Sequence, residues 1–121
     1  MQFEIMLSKD KKILIVGLGL MGGSYADALT KAGYEVGAIT RSQSSIDNAL
    51  SRGLISSGMA EVKADYVGQF DIVVFSLYPH TFIKWIEQYQ QFFKSGALLT
   101  EVTGVKCSVV YKVQSILRPD V

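Results

Sequence analysis

The chain has 121 residues, a length that fits one domain. It is 49% hydrophobic and 19% charged, with a formal net charge of +1. That balance suits a packed α/β core and gives no field that would draw in nucleic acid or an anionic membrane. No apolar stretch approaches the ~18 residues a membrane helix needs. The start, MQFEIMLSKDKK, lacks the basic-then-apolar order of a signal peptide. Cys107 is the single cysteine, so an internal disulfide or cysteine cluster is excluded, and a reduced, cytoplasmic setting is expected.

Five apolar segments alternate with amphipathic ones. Lys12 to Val16 (KILIV) is β-branched and nearly continuous, as a strand buried on both faces should be. Met21, Tyr25, Ala28, Leu29 and Ala32 then fall at helical spacing, with Gly33 as a stop. Glu35 to Thr40 reads as the second strand. Ile46, Ala49 and Leu50 mark a second helix that ends near Gly53. A short third strand is expected at Ser57 to Met59, and a turn or short helix over Val62 to Gln69. Asp71 to Leu77 (DIVVFSL) is another buried strand. Pro79 suits the first turn of a helix, with Phe82, Ile86, Tyr89 and Phe93 on one face and Gly96 at its end. Ala97 to Val102 is the fifth strand. Val109, Val113, Ile116 and Leu117 predict a last helix stopped by Pro119.

Strands alternating with helices predict a doubly wound parallel sheet, a Rossmann-type α/β fold with strand order 3-2-1-4-5. One dinucleotide-binding domain is expected over residues 1–121. Because the chain stops directly after a helix, it reads as the first part of a longer protein.

Between the first strand and the first helix stands Gly17-x-Gly19-x-x-Gly22. In that context the glycines have distinct tasks. Gly17 permits the sharp turn out of the strand, Gly19 leaves room for a pyrophosphate, and Gly22 lets the helix pack closely on the sheet. The backbone of Leu20 and Met21 at the helix start presents N–H groups and a partial positive charge to the phosphates. NAD binders carry an Asp or Glu at the end of the second strand, where it bonds the adenosine ribose. This chain has Thr40, Arg41 and Ser42. No carboxylate repels a 2′-phosphate there, and Arg41 offers it charge-assisted hydrogen bonds, so NADP(H) is expected over NAD(H).

Four stretches, GLGLMGGSYADALTKAGYEV, SRGLISSG, FDIVVFSLYPH and GALLTEVTGVK, together resemble the N-terminal domain of prephenate/arogenate dehydrogenases. Gly22-Gly23-Ser24 and the block Glu101-Val102-Thr103-Gly104-Val105-Lys106 are the more specific parts. The resemblance covers Lys11 to Val121. It implies an enzyme of tyrosine biosynthesis that oxidatively decarboxylates prephenate or arogenate with hydride transfer to the nicotinamide. It also implies that the family's catalytic histidine, substrate arginines and dimer-forming helical domain lie beyond Val121, so this part alone would not turn over. One position departs from the pattern. Gly104 stands where many members have a serine, so either Thr103 supplies the hydroxyl through a changed loop or that bond is absent.

Other residues near the strand ends have two readings each. Ser76, Leu77 and Tyr78 either touch the cofactor or pack the strand end. His80, the single histidine, is a catalytic group, a cofactor-edge contact or a surface residue at a helix start. Thr103 and Lys106 are substrate-side candidates, Lys106 otherwise being a solvated lysine. Glu101 orients a loop or takes part in acid–base work. Cys107 is a packing residue or a reactive thiol. Trp85 and the Tyr89-Phe92-Phe93 cluster read as core and interface, since no basic groove accompanies them. Two other readings stay open, a β-hydroxyacid or imine reductase relative and a nucleotide-sensing domain without catalysis.

Overall fold

The computed structural model describes residues 11–101. Its elements run in chain order as β1 (Lys12–Val16), α1 (Leu20–Lys31), β2 (Glu35–Ile39), α2 (Gln43–Ser51), β3 (Ser57–Met59), α3 (Ala64–Val67), β4 (Ile72–Phe75), α4 (Pro79–Tyr89), a 3-10 turn (Gln90–Phe92) and β5 (Leu98–Glu101). The five strands form one sheet in the order β3-β2-β1-β4-β5, every neighbouring pair parallel. The expected order and the short third strand are both present. Strand bounds tighten by a residue or two. β2 stops at Ile39 rather than Thr40, and β4 occupies Ile72–Phe75 within the expected Asp71 to Leu77. The expected helix after β5, with Thr103, Gly104, Lys106 and Cys107, lies outside the described residues.

The three central strands, β2, β1 and β4, are buried on both faces because they are apolar at nearly every position, while the edge strands β3 and β5 are partly exposed. On one face Ile13, Ile15, Val36, Ala38 and Val74 pack against Ala26 of α1 and Ile46 and Ala49 of α2. On the other, Leu14, Val16, Ile39, Val73 and Phe75 pack against Val67 of α3 and Phe82, Trp85 and Ile86 of α4. The second face is aromatic. Phe75 is fully buried, with ring centroids 4.9 Å from Phe82, 5.2 Å from Trp85 and 6.3 Å from Phe93. Phe82 and Ile86 therefore face the sheet as expected, with Tyr89 half-buried at the margin. The helix ends at Tyr89 rather than near Gly96, and Phe93 joins the same core from beyond the 3-10 turn.

The stripe expected for α1 does not. Tyr25, Ala28 and Ala32 are exposed, while Gly22 and Ala26 are buried and Leu29 is half-buried. The helix is turned so that its smallest residues meet the sheet. Close approach of the helix axis leaves no room for a ring, so side-chain size outranks hydrophobicity in choosing this face. Leu50 of α2 is likewise exposed, leaving Ile46 and Ala49 as that helix's buried face.

Two fastenings hold the sheet. At the edge where the strands begin, the Asp71 carboxylate accepts from the Lys12 backbone N–H at 2.9 Å and pairs with the Lys94 ammonium. The backbone of Asp71 completes the clamp by donating to the Lys12 carbonyl and accepting from Leu98. Burial pushes the Asp71 carboxyl upward, but the Lys94 and Lys12 hydrogen bonds and the lysine charges outweigh it and hold the group below its usual range. On the aromatic face, Gly37 of β2 leaves a gap filled by Tyr66 and Phe70. A β-carbon at residue 37 would stand 2.5 Å from the Tyr66 hydroxyl and 2.6 Å from Phe70 Cζ. The Tyr66 hydroxyl lies 2.8 Å from Ser57 Oγ, and burial of the ring raises its pKa.

Candidate dinucleotide site

Parallel strands in this order put the ends of β1, β2, β4 and β5 along one edge, and every glycine-loop and strand-end candidate among the described residues gathers there. The loop from β1 to α1 is built tightly. Gly17 has φ +94°, in the left-handed region that favours glycine, and its N–H donates to the Ile39 carbonyl at 2.8 Å. A β-carbon there would run into the Ser76 carbonyl oxygen. Ser76 in turn donates its N–H to the Val16 carbonyl at 2.9 Å. The ends of β1, β2 and β4 are thus sewn together around Gly17.

The other two glycines divide the work as the motif implies. A β-carbon on Gly22 would collide with the carbonyl oxygen of Gly17 and stand 3.3 Å from Ser76 Cβ. A β-carbon on Gly19 would meet nothing within 4 Å. Gly19 is exposed and is the N-cap of α1. No side chain caps this helix start, and its first turn carries no acidic residue. Open space therefore lies in front of backbone N–H groups at the positive end of a 12-residue helix. That space and charge fit the pyrophosphate of a dinucleotide.

At the end of β2, Thr40 donates its N–H to the Met59 carbonyl at 3.3 Å and Arg41 is exposed. Ser42 is the N-cap of α2. Its Oγ accepts from the Ser45 N–H at 3.3 Å and lies 2.8 Å from Ser44 Oγ. A groove of about 980 Å³ runs between α1 and α2, from Gly19 and Ser24 past Ser44 and Asn48 to Arg52; Thr40, Arg41 and Ser42 do not line it. Sequence reasoning did not single out Asn48 or Arg52. Successive steps of four from Ser44 to Asn48 to Arg52 place all three on one helical stripe, which is the signal that was there to be read.

At the end of β4, Ser76 and Leu77 are half-buried and Tyr78 is 84% exposed. Leu77 Cδ2 would stand 3.1 Å from a β-carbon on Gly17, so it walls the loop. His80 is exposed in the first turn of α4. Glu101 is half-buried at the end of β5, in register with Phe75. Among the described residues, no group of three His, Cys, Asp or Glu side chains is placed to hold a metal ion. No helix among them is long and apolar enough to cross a membrane.

A parallel 3-2-1-4-5 sheet with a glycine cradle at the head of its first helix defines a nicotinamide-dinucleotide-binding domain of the dehydrogenase kind. The chain belongs to the family of the NAD binding domain of 6-phosphogluconate dehydrogenase, whose pattern matches residues 12–118. It is 32% identical over 102 residues to the prephenate dehydrogenase of Lactococcus lactis subsp. cremoris (strain MG1363), a match that covers 83% of this chain and 28% of that protein. It is 29% identical to prephenate dehydrogenase from A. aeolicus, solved in complex with hydroxyphenyl propionate and NAD+. The TM-score there is 0.79, over 91% of this chain and 39% of the other. Synechocystis arogenate dehydrogenase shares the fold, with a TM-score of 0.79 at 24% identity over 86% of this chain and 37% of the other. The resemblance to the N-terminal domain of prephenate/arogenate dehydrogenases read from the sequence holds. The chain spans less than a third of the length of the curated relative it matches.

Proposed function

We propose that this chain is the NADP-binding part of a prephenate or arogenate dehydrogenase. The cofactor preference rests on one observation, that β2 runs into Thr40-Arg41-Ser42 with an exposed arginine and no carboxylate. The substrate class rests on the likeness to the Lactococcus and A. aeolicus enzymes. In this reading the pyrophosphate lies over Gly19 and the helix start at Leu20, Met21 and Gly22. The adenosine 2′-phosphate meets Arg41, with Thr40 and Ser42 beside it. Leu77 and Tyr78 flank the path toward the nicotinamide, and Thr103 and Lys106, outside the described residues, are the substrate-side candidates that the resemblance implies.

A bound nicotinamide would supply the hydride acceptor for the oxidative decarboxylation of the substrate ring. The chain's own residues bind and orient the dinucleotide. The substrate-polarising groups and the dimer contacts belong to a further helical domain, and the enzyme works in the cytoplasm.

The test is a thermal titration of the chain with NADP and NAD, alongside turnover of prephenate and arogenate by the full-length protein. Ligand at 100-fold its dissociation constant should stabilise the fold by ~2.7 kcal/mol. A larger shift with NADP supports the Arg41 reading, and a larger shift with NAD overturns it. Full-length protein that oxidises neither compound overturns the substrate assignment.

A further inference from the structure

We propose that Ser76 is a positioning residue that sets the dinucleotide cradle by its small size and not by a hydroxyl bond to the ligand. The inference rests on reading the glycine loop as that cradle. Ser76 follows Phe75, whose side chain lies on the aromatic face, so Ser76 falls on the opposite face, toward α1. One contact shows it there: its Cβ would stand 3.3 Å from a β-carbon on Gly22, while its main-chain carbonyl occupies the place of a β-carbon on Gly17. Residue 76 therefore backs the first glycine with its backbone and the third with its small side chain.

Its position is also fixed. The Ser76 N–H donates to the Val16 carbonyl, so β1 holds the backbone at the point where the loop leaves it. Bulk added at residue 76 meets the first turn of α1 at Gly22, and that turn is the part able to give way. The backbone N–H groups of this turn are the ones presented to the pyrophosphate. A cradle of this kind works only when its donors are held to within about 0.5 Å. A larger side chain at residue 76 shifts those donors while leaving the strands in place.

The test is the affinity of the full chain for NADH and NADPH, measured well below the ligand-free melting midpoint, for wild type, Ser76→Ala, Ser76→Thr and Ser76→Val. Ser76→Ala is expected to stay within twofold of wild type on both ligands. Ser76→Val is expected to lose at least tenfold on both, in the same proportion, because the pyrophosphate is common to them. Ser76→Thr keeps the hydroxyl and adds one methyl, and falls between the two. It also keeps the comparison available if the valine variant does not fold. A tenfold loss in Ser76→Ala with Ser76→Thr unchanged overturns the inference in favour of a hydroxyl bond to the ligand. Equal affinity across the series overturns it as well. If wild type binds neither dinucleotide, the cradle reading itself has failed and this inference falls with it.

Discussion

Gly22 and Gly17 are packed so closely that a single methyl group on Gly22 would overlap the Gly17 carbonyl oxygen and stand 3.0 Å from its carbonyl carbon. The obstacle is backbone, which cannot rotate aside as a side chain can. Gly22→Ala should therefore cost about 2–3 kcal/mol of stability and weaken binding of either dinucleotide by at least tenfold. Chemical denaturation and a fluorescence titration with NADH measure the two effects. Gly19→Ala is the control for sterics. With nothing within 4 Å, it should leave stability nearly unchanged and affect only the ligand.

Arg41→Ala should lower affinity for NADPH by about tenfold or more, in line with the ~1.5–3 kcal/mol of a charge-assisted hydrogen bond, and leave NADH binding within twofold. The NADPH loss should shrink as salt is raised, since Arg41 is exposed. Calorimetry at two ionic strengths would show this. An unchanged ratio of the two affinities would remove Arg41 from the phosphate site.

The Asp71 clamp predicts a defined acid sensitivity. Its carboxyl is held below the usual value of 3.8 in the folded chain. The native state therefore binds fewer protons than the unfolded state between the two values. The clamp's contribution is fully present above about 3.8 and disappears as pH falls through the lower native value. Asp71→Asn should be less stable by about 1.5 kcal/mol at neutral pH, the loss of a hydrogen bond to a charged group. It should converge on wild type as pH falls through the lowered native value. Urea unfolding at pH 7, 5 and 3 tests the convergence.

Phe75→Ala should cost about 3–5 kcal/mol, because the ring is fully buried among Phe82, Trp85 and Phe93. Gly37→Ala should destabilise for the opposite reason. An added β-carbon has no place beside Tyr66 and Phe70. Its cost, about 1–3 kcal/mol, should fall when Tyr66→Ala is made in the same chain. A double-mutant cycle on melting would report that coupling.

The strand order, the glycine loop and the helix after β4 were legible in the sequence because each is written locally. Buried parallel strands read as apolar runs, and the loop's three glycines stand between a strand and a helix. Features that depend on a distant partner were not legible. Gly37 looks like an indifferent strand residue until Tyr66 and Phe70 are seen to fill its missing side chain. The α1 face was misjudged at Tyr25 because the distance between helix and sheet, which favours Gly22 and Ala26, is a tertiary quantity. Ser76 carries two readings in the sequence, and its approach to Gly22, on which the proposal above rests, is a tertiary feature. Of the candidate site, Gly17, Gly19, Gly22, Thr40, Arg41, Ser42, Ser76, Leu77 and Tyr78 gather at one edge, while the roles of Asn48 and Arg52 in lining the groove come from the fold.

The Asp71 clamp sits at the opposite rim of the sheet from the glycine cradle, a full strand length away. Acid tolerance and ligand choice are thus written in separate places, joined only by an apolar interior. An engineer could harden the domain against low pH at one rim and exchange its cofactor at the other, treating the two as independent dials.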